Sequence, residues 1–186
     1  MFELLFLGTS ASAPSVHRSL PSLLIQHEDH RYLVDCGEGT QRQILTAGAG
    51  FKNLNKILVT HGHLDHILGL AGLLATLIRW ESMEDMDIYG GKDAIYRIQD
   101  LIYTVVLRGS QIPAQLHFHN LTYGTFIDEK NFSISCFPVI HRGSDSVGYL
   151  FQERGRRPFL PEKAEALAIP LGPWRRDLTN GEGVTL

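Results

Sequence analysis

Four residues of metal-binding type stand within the six positions 61–66: His61, His63, Asp65 and His66, inside KILVTHGHLDHILGL at 56–70. If His61 and His63 lie in locally extended chain, they project to the same side and their imidazoles can converge on one ion. Asp65 and His66, at the turn into a following helix, can then face a second ion beside the first. Imidazole nitrogens with a carboxylate oxygen suit Zn²⁺, with Mn²⁺ and Fe²⁺ also compatible, and the lack of a thiolate points to a hydrolytic rather than a structural site. The alternative is a polar loop with unrelated histidines; their clustering at the end of an apolar run favours the metal reading.

That apolar run, Ile57-Leu58-Val59, reads as a buried strand that delivers the histidines at its end. The helix expected after them, Ile67 to Arg79, has Gly69 and Gly72 near its start, where small residues allow close packing on a sheet. Upstream, Phe2 to Leu7 reads as a first strand and Ala11 to Pro21 as a surface loop. Ser22–Gln26 and Tyr32–Val34 read as a hairpin around Glu28-Asp29-His30, which would leave His27 and His30 on a solvated turn. Asp35-Cys36-Gly37-Glu38-Gly39 is a tight turn, with Thr40 placed to cap a short helix running to about Ala47. At a strand end near a metal loop, Asp35 either orients a ligand histidine from behind or is an ordinary turn aspartate.

Downstream, an acidic connection leads to a short strand at Ile88-Tyr89-Gly90. Ala94 to Leu107 has the apolar spacing of a helix with one buried face. In Leu116–Leu121, alternation puts His117 and His119 on one strand face, read as exposed rather than as ligands. A hairpin through Phe126–Asp128 and Phe132–Val139, turning at Glu129-Lys130-Asn131, ends near His141, a position that spacing alone would leave as a surface residue.

A chain of 186 residues with 44% hydrophobic content is expected to form one main domain with a sizeable core. A net charge of -3 excludes a globally basic nucleic-acid binder, so RNA would be held by a local patch or by metal. One locally basic region exists: residues 151–186 hold six basic and five acidic side chains, including Arg154, Arg156, Arg157, Arg175 and Arg176. Such a charge run is ordinarily a solvated linker. Cys36 and Cys136 form no CxxC and are read as buried free thiols of a reducing cytoplasm. The opening MFELLFLG has no basic flank and too short an apolar run for a signal or membrane span. A cytoplasmic protein with no membrane partner is therefore expected.

His-x-His-x-Asp-His after a hydrophobic strand resembles the metal motif of the metallo-β-lactamase superfamily. GTSASAP, DCGEGTQRQ and THGHLDHILGLAGLL together resemble the ribonuclease Z family, endonucleases that remove 3′ trailers from precursor tRNA. The segment Phe137–His141 followed by Ser146–Tyr149 is similar to the family segment carrying the third histidine of the first metal. The resemblance thus implies His61, His63 and His141 on one Zn²⁺, Asp65 and His66 on a second, and Asp65 as proton acceptor from the attacking water. AIPLGPWRRDLTN resembles the family's flexible tRNA-binding arm at Gly172-Pro173, and Arg18 matches an arginine of a loop that touches the tRNA 3′ end, although Val16 stands where that loop often has a lysine.

The implied fold is α/β, a four-layer αββα sandwich of which this chain supplies mainly the first half: residues 1–150 as the N-terminal part of the domain and 151–186 as the beginning of the arm. The family's later bridging aspartate, in a Gly-Asp-Thr strand end, and its last histidine have no counterpart here. An apolar sheet face is then expected to be left uncovered, in a fragment of a longer product or in a self-associating protein such as a homodimer. Beside the endoribonuclease stand two other readings: a non-catalytic metal- or tRNA-binding subunit, and a related hydrolase of small esters or lactones.

Overall fold

The computed structural model describes residues 1–80, 85–108, 116–142, 145–155 and 158–185. It divides into two compact units, Met1–Gln152 and Glu153–Leu186. The connection at 81–84 and the basic residues 156 and 157 lie outside the described residues.

In the first unit the order is β1 (Glu3–Gly8), β2 (Ser22–His27), β3 (His30–Val34), α1 (Thr40–Thr46), β4 (Leu54–Leu58), α2 (Leu64–Ile67), α3 (Gly69–Arg79), β5 (Met86–Gly90), α4 (Lys92–Asp100) with a π-helical continuation Leu101–Val106, β6 (Leu116–Asn120), β7 (Gly124–Asp128), β8 (Phe132–Pro138) and β9 (Val147–Glu153). Strands β1 to β6 form one sheet in sequence order, and β7, β8 and β9 form a second. The first three strands pair antiparallel, and β3 through β6 run parallel. Parallel pairing requires crossovers, which the helices supply.

Leu70, Leu73, Leu74 and Leu77 recur at helical spacing on α3. With Ile44, Ile95 and Ile98 they bury against Leu33, Ile57, Val59 and Ile88 on one sheet face. The other face packs Ile25, Tyr32 and Leu58 against Ile127, Phe132 and Ile134 of the second sheet. Helices, sheet and sheet make three stacked layers, in keeping with the expected α/β sandwich. Leu4 and Phe6 of β1 are exposed, and Leu4 lines an apolar cleft of about 420 Å³ with Leu23, Ile25, Tyr149 and Phe151.

Several local expectations give way. His27 is buried, its ring between Phe2 and Phe132, because the hairpin turn is so tight that His27 is still a strand residue facing the second sheet. Thr40 is the first helical residue and buried; the cap position belongs to Gly39 at φ 84°, which glycine reaches without strain. The helix after the histidines is broken at Leu68 into α2 and α3. Val147–Tyr149 opens a strand, β9, for which the sequence patterning carries no expectation.

The second unit holds α5 (Pro161–Ala166) and α6 (Trp174–Asn180). Arg175 donates to the carbonyls of Ile169 and Pro170 and lies over the Phe159 ring. No described helix is long and apolar enough to cross a membrane.

Candidate metal centre

Parallel register places the site. Val34 pairs with Leu58 and Leu58 with Tyr89, so the chain leaves β3 and β4 side by side at the carboxyl end of the sheet, where α/β folds build ligand sites. Beyond β4, His63 is extended (φ -70°, ψ 148°) and caps the amino end of α2. That turn is tied down twice by backbone: Cys36 N–H donates to the His66 carbonyl and Gly69 N–H to that of Cys36, at 2.7 and 2.9 Å. His141 arrives from the second sheet. Its loop is closed by Val139 N–H to the Ser146 carbonyl, and β9 is joined to the first sheet by Val147 N–H to the Thr60 carbonyl, at 3.0 and 2.9 Å.

One ligand nitrogen from each of His61, His63 and His141 lies within 4.8 Å of the others, and His61 Nε2 is 3.0 Å from His63 Nδ1. Nitrogens about 2.0–2.1 Å from a tetrahedral ion stand roughly 3.3–3.4 Å apart, so the His61–His63 pair has close to the spacing of shared ligands and His141 stands within reach of the same ion. Burial, reinforced by repulsion from a charged His66, pulls His61 down to about 4, leaving a neutral imidazole with a lone pair to give at neutral pH. The donor set fits a divalent transition ion such as Zn²⁺.

Asp65 and His66 lie beside the triad. The His61 and His66 rings are 4.1 Å apart, and Asp65 Oδ2 is 3.6 Å from His66 Nε2. Burial works against the Asp65 charge, but the Ser12 N–H, donating to Oδ2 at 3.0 Å, and the nearby His66 hold the carboxyl below its usual range. Burial likewise lowers His66, yet the bond and charge of Asp35 outweigh it and raise the ring.

Of the two readings open to Asp35, its contacts with His66 are those the orienting one expects. It is buried, in left-handed backbone at φ 58°, and its carboxylate receives His66 Nδ1 at 2.7 Å together with the Thr60 N–H and hydroxyl at 2.8 Å each. Thr60 and Ser12 are contributors that sequence reasoning missed. Thr60 directly precedes His61 and was within reach of inspection; Ser12 lies 53 residues from Asp65 in a loop that had no local signal.

Arg18 sits on the rim of a polar cleft of about 500 Å³, with His17, Glu38 and Arg42, and its N–H is held by Ser15 Oγ. Gly172 and Pro173 belong to the second unit, where Pro173 caps α6 and the Trp174 ring crowds the space a Gly172 side chain would need. His117 and His119 stay away from the triad on the β6 strand, paired with Asp85 and Asp87.

A family model described as Anti-Pycsar protein Apyc1 matches residues 2–157. Ribonuclease Z of Bradyrhizobium diazoefficiens is 45% identical over 186 residues, all of this chain and 62% of the relative. Human tRNase Z, short form, is 31% identical with a TM-score of 0.63, over 83% of this chain and 64% of that structure. The metallo-beta-lactamase fold protein YhfI from Bacillus subtilis, at 20% identity and TM-score 0.65, covers 81% of this chain and 57% of that one, and shows the fold alone. The chain spans about 62% of the length of the curated relative it matches. The expected resemblance to ribonuclease Z is met in these relatives, whereas the name on the family model is one the sequence reading had not suggested. The chain belongs to the family described as Anti-Pycsar protein Apyc1, has the metallo-β-lactamase fold and is homologous to ribonuclease Z.

Proposed function

We propose that this chain carries the metal-binding half of a zinc-dependent endoribonuclease that removes 3′ trailers from precursor tRNA. The observation that carries the reading is the convergence of His61, His63 and His141 at one strand end, with Asp65 and His66 beside them. The three histidines would hold one ion, and Asp65 with His66 would contribute to a second. A divalent ion there supplies Lewis-acid stabilisation of charge developing on the phosphate and a water that loses its proton near neutral pH.

The protein's own groups do the rest. Asp65, ionised and aimed by the Ser12 N–H, is placed to accept the proton of the attacking water. Asp35 fixes the His66 ring through Nδ1, which leaves Nε2 facing Asp65. Arg18 on its cleft and the Gly172-Pro173 segment with its arginines are the proposed tRNA contacts outside the centre. Two free, buried cysteines suit a reducing cytoplasm, and the exposed Leu4 and Phe6 support self-association as a homodimer.

The test is incubation, with Zn²⁺ and a precursor tRNA bearing a 3′ trailer, of the chain joined to the second half of a ribonuclease Z relative, which supplies the bridging aspartate and last histidine that have no counterpart here. Release of the trailer with a 3′-hydroxyl left on the tRNA, abolished by His63→Ala, is the expected result. Intact precursor, bound but uncut, would favour the reading as a tRNA-binding subunit.

A further inference from the structure

A further cleft, of about 210 Å³, is lined by His61, Gly62 and His63 of the histidine loop. Arg97 of α4 and Arg142 and Ser146 of the segment before β9 also line it, so two arginines and a serine meet at one cleft. We propose that this cleft is a phosphate subsite, which holds the RNA phosphate next to the one at the metal centre. The inference rests on the endoribonuclease reading and adds to it a position for the neighbouring nucleotide.

Arg97 is anchored: its Nη1 donates to the Gly62 carbonyl at 2.6 Å. A guanidinium has five N–H donors in a planar fork, so one bond to the loop sets the plane and leaves donors for an oxyanion. Gly62 permits this approach, since a side chain there would meet the Ala94 backbone at 3.1 Å and Arg97 Cδ at 3.3 Å.

Two carboxylates, Asp93 and Asp145, also line the cleft. Asp145 is committed elsewhere: its Oδ2 accepts the Asp93 N–H at 2.7 Å, at the first turn of α4, and the space over Gly91 is filled by the same carboxylate. Its charge is thus set against the positive end of a nine-residue helix. Asp93 has a partner of its own.

Ser146 supplies the independent sign of a ligand. It is 6% exposed, and its Oγ has no hydrogen-bond partner among the described residues. A buried hydroxyl without a partner lowers stability, and turned into the cleft it would gain one in a phosphate oxygen. Two arginines and a serine hydroxyl around one cavity are the donor set for a phosphodiester oxygen.

The test measures binding of the full chain to two labelled acceptor-stem hairpins, one with a 3′ trailer of several nucleotides and one without, by fluorescence anisotropy in EDTA over a range of salt. Arg142→Gln is expected to weaken trailer RNA roughly tenfold and to lower the slope of log affinity against log salt by about 0.7, with the trailer-free hairpin unchanged. Ser146→Ala should weaken trailer RNA by a smaller factor. Arg97→Gln should match Arg142→Gln; because it also releases Gly62, the Arg142 variant carries the decision. Equal binding of trailer RNA by parent and Arg142→Gln, or an equal loss on both hairpins, would overturn the subsite while leaving the ribonuclease reading intact. Failure of the parent to bind either RNA would overturn that reading and the subsite with it.

Discussion

Asp35 Oδ2 lies 2.7 Å from His66 Nδ1, and the same carboxylate receives the backbone N–H and hydroxyl of Thr60. One buried side chain therefore holds together the ends of β3 and β4 and the first turn of α2. Asp35→Ala strands these donors and should cost about 1–3 kcal/mol of stability, read from urea unfolding. Asp35→Asn keeps an acceptor and tolerates the left-handed backbone, so it should cost less. Both should weaken metal affinity roughly 10–100-fold in a chelator competition. Equal stability of the alanine variant and the parent would contradict the role assigned to Asp35.

Gly69 is where α3 meets the Asp35–Gly37 turn. An added Cβ would lie 2.1 Å from the Gly37 carbonyl oxygen, and Gly69 N–H already donates to Cys36. Gly69→Ala should therefore destabilise by about 1–3 kcal/mol, whereas Gly155→Ala, with open space around it, should change stability little. Thermal unfolding of the two variants against the parent checks the contrast.

Burial raises Tyr149 and Tyr32 well above an ordinary phenol, and it raises Tyr89 as well. For these acids the raised folded-state value means stability that is complete below about pH 10, the ordinary phenol value, and lost as pH climbs beyond it. Unfolding midpoints should thus fall above pH 10. Tyr149 also donates to the Val59 carbonyl at 2.7 Å, so Tyr149→Phe should lose about 1 kcal/mol at neutral pH and remove one late step from the phenolate absorbance titration. A titration unchanged by the substitution would contradict this burial.

Cys36 and Cys136 are both free and buried, and burial pushes the Cys36 thiol up to about 12. Neither should react with a disulfide reagent at pH 8 until denaturant is added. Rapid labelling of the native protein would place a thiol at the surface.

The sequence disclosed most where chemistry and periodicity coincide. His61, His63, Asp65 and His66 stand on one short loop, so their convergence followed from extended backbone and one helical turn. His141 was different: its approach depends on the Val139–Ser146 bond that closes its loop and the Val147–Thr60 bond that joins the two sheets, and neither leaves a local trace. His27 was misplaced because one residue of hairpin length decides whether a side chain faces water or the second sheet. Thr40 looked like a cap by residue type, yet the left-handed turn that starts α1 fell to Gly39 and let Thr40 point inward.

The central claim is that His61, His63 and His141 hold a metal ion, and the most direct test is metal content per chain by mass spectrometry of the purified protein. At least one zinc per chain is expected, reduced to near zero by His61→Ala and by His141→Ala, with the folded spectrum retained. Absence of metal in the parent, or zinc unchanged in both variants, would contradict the site.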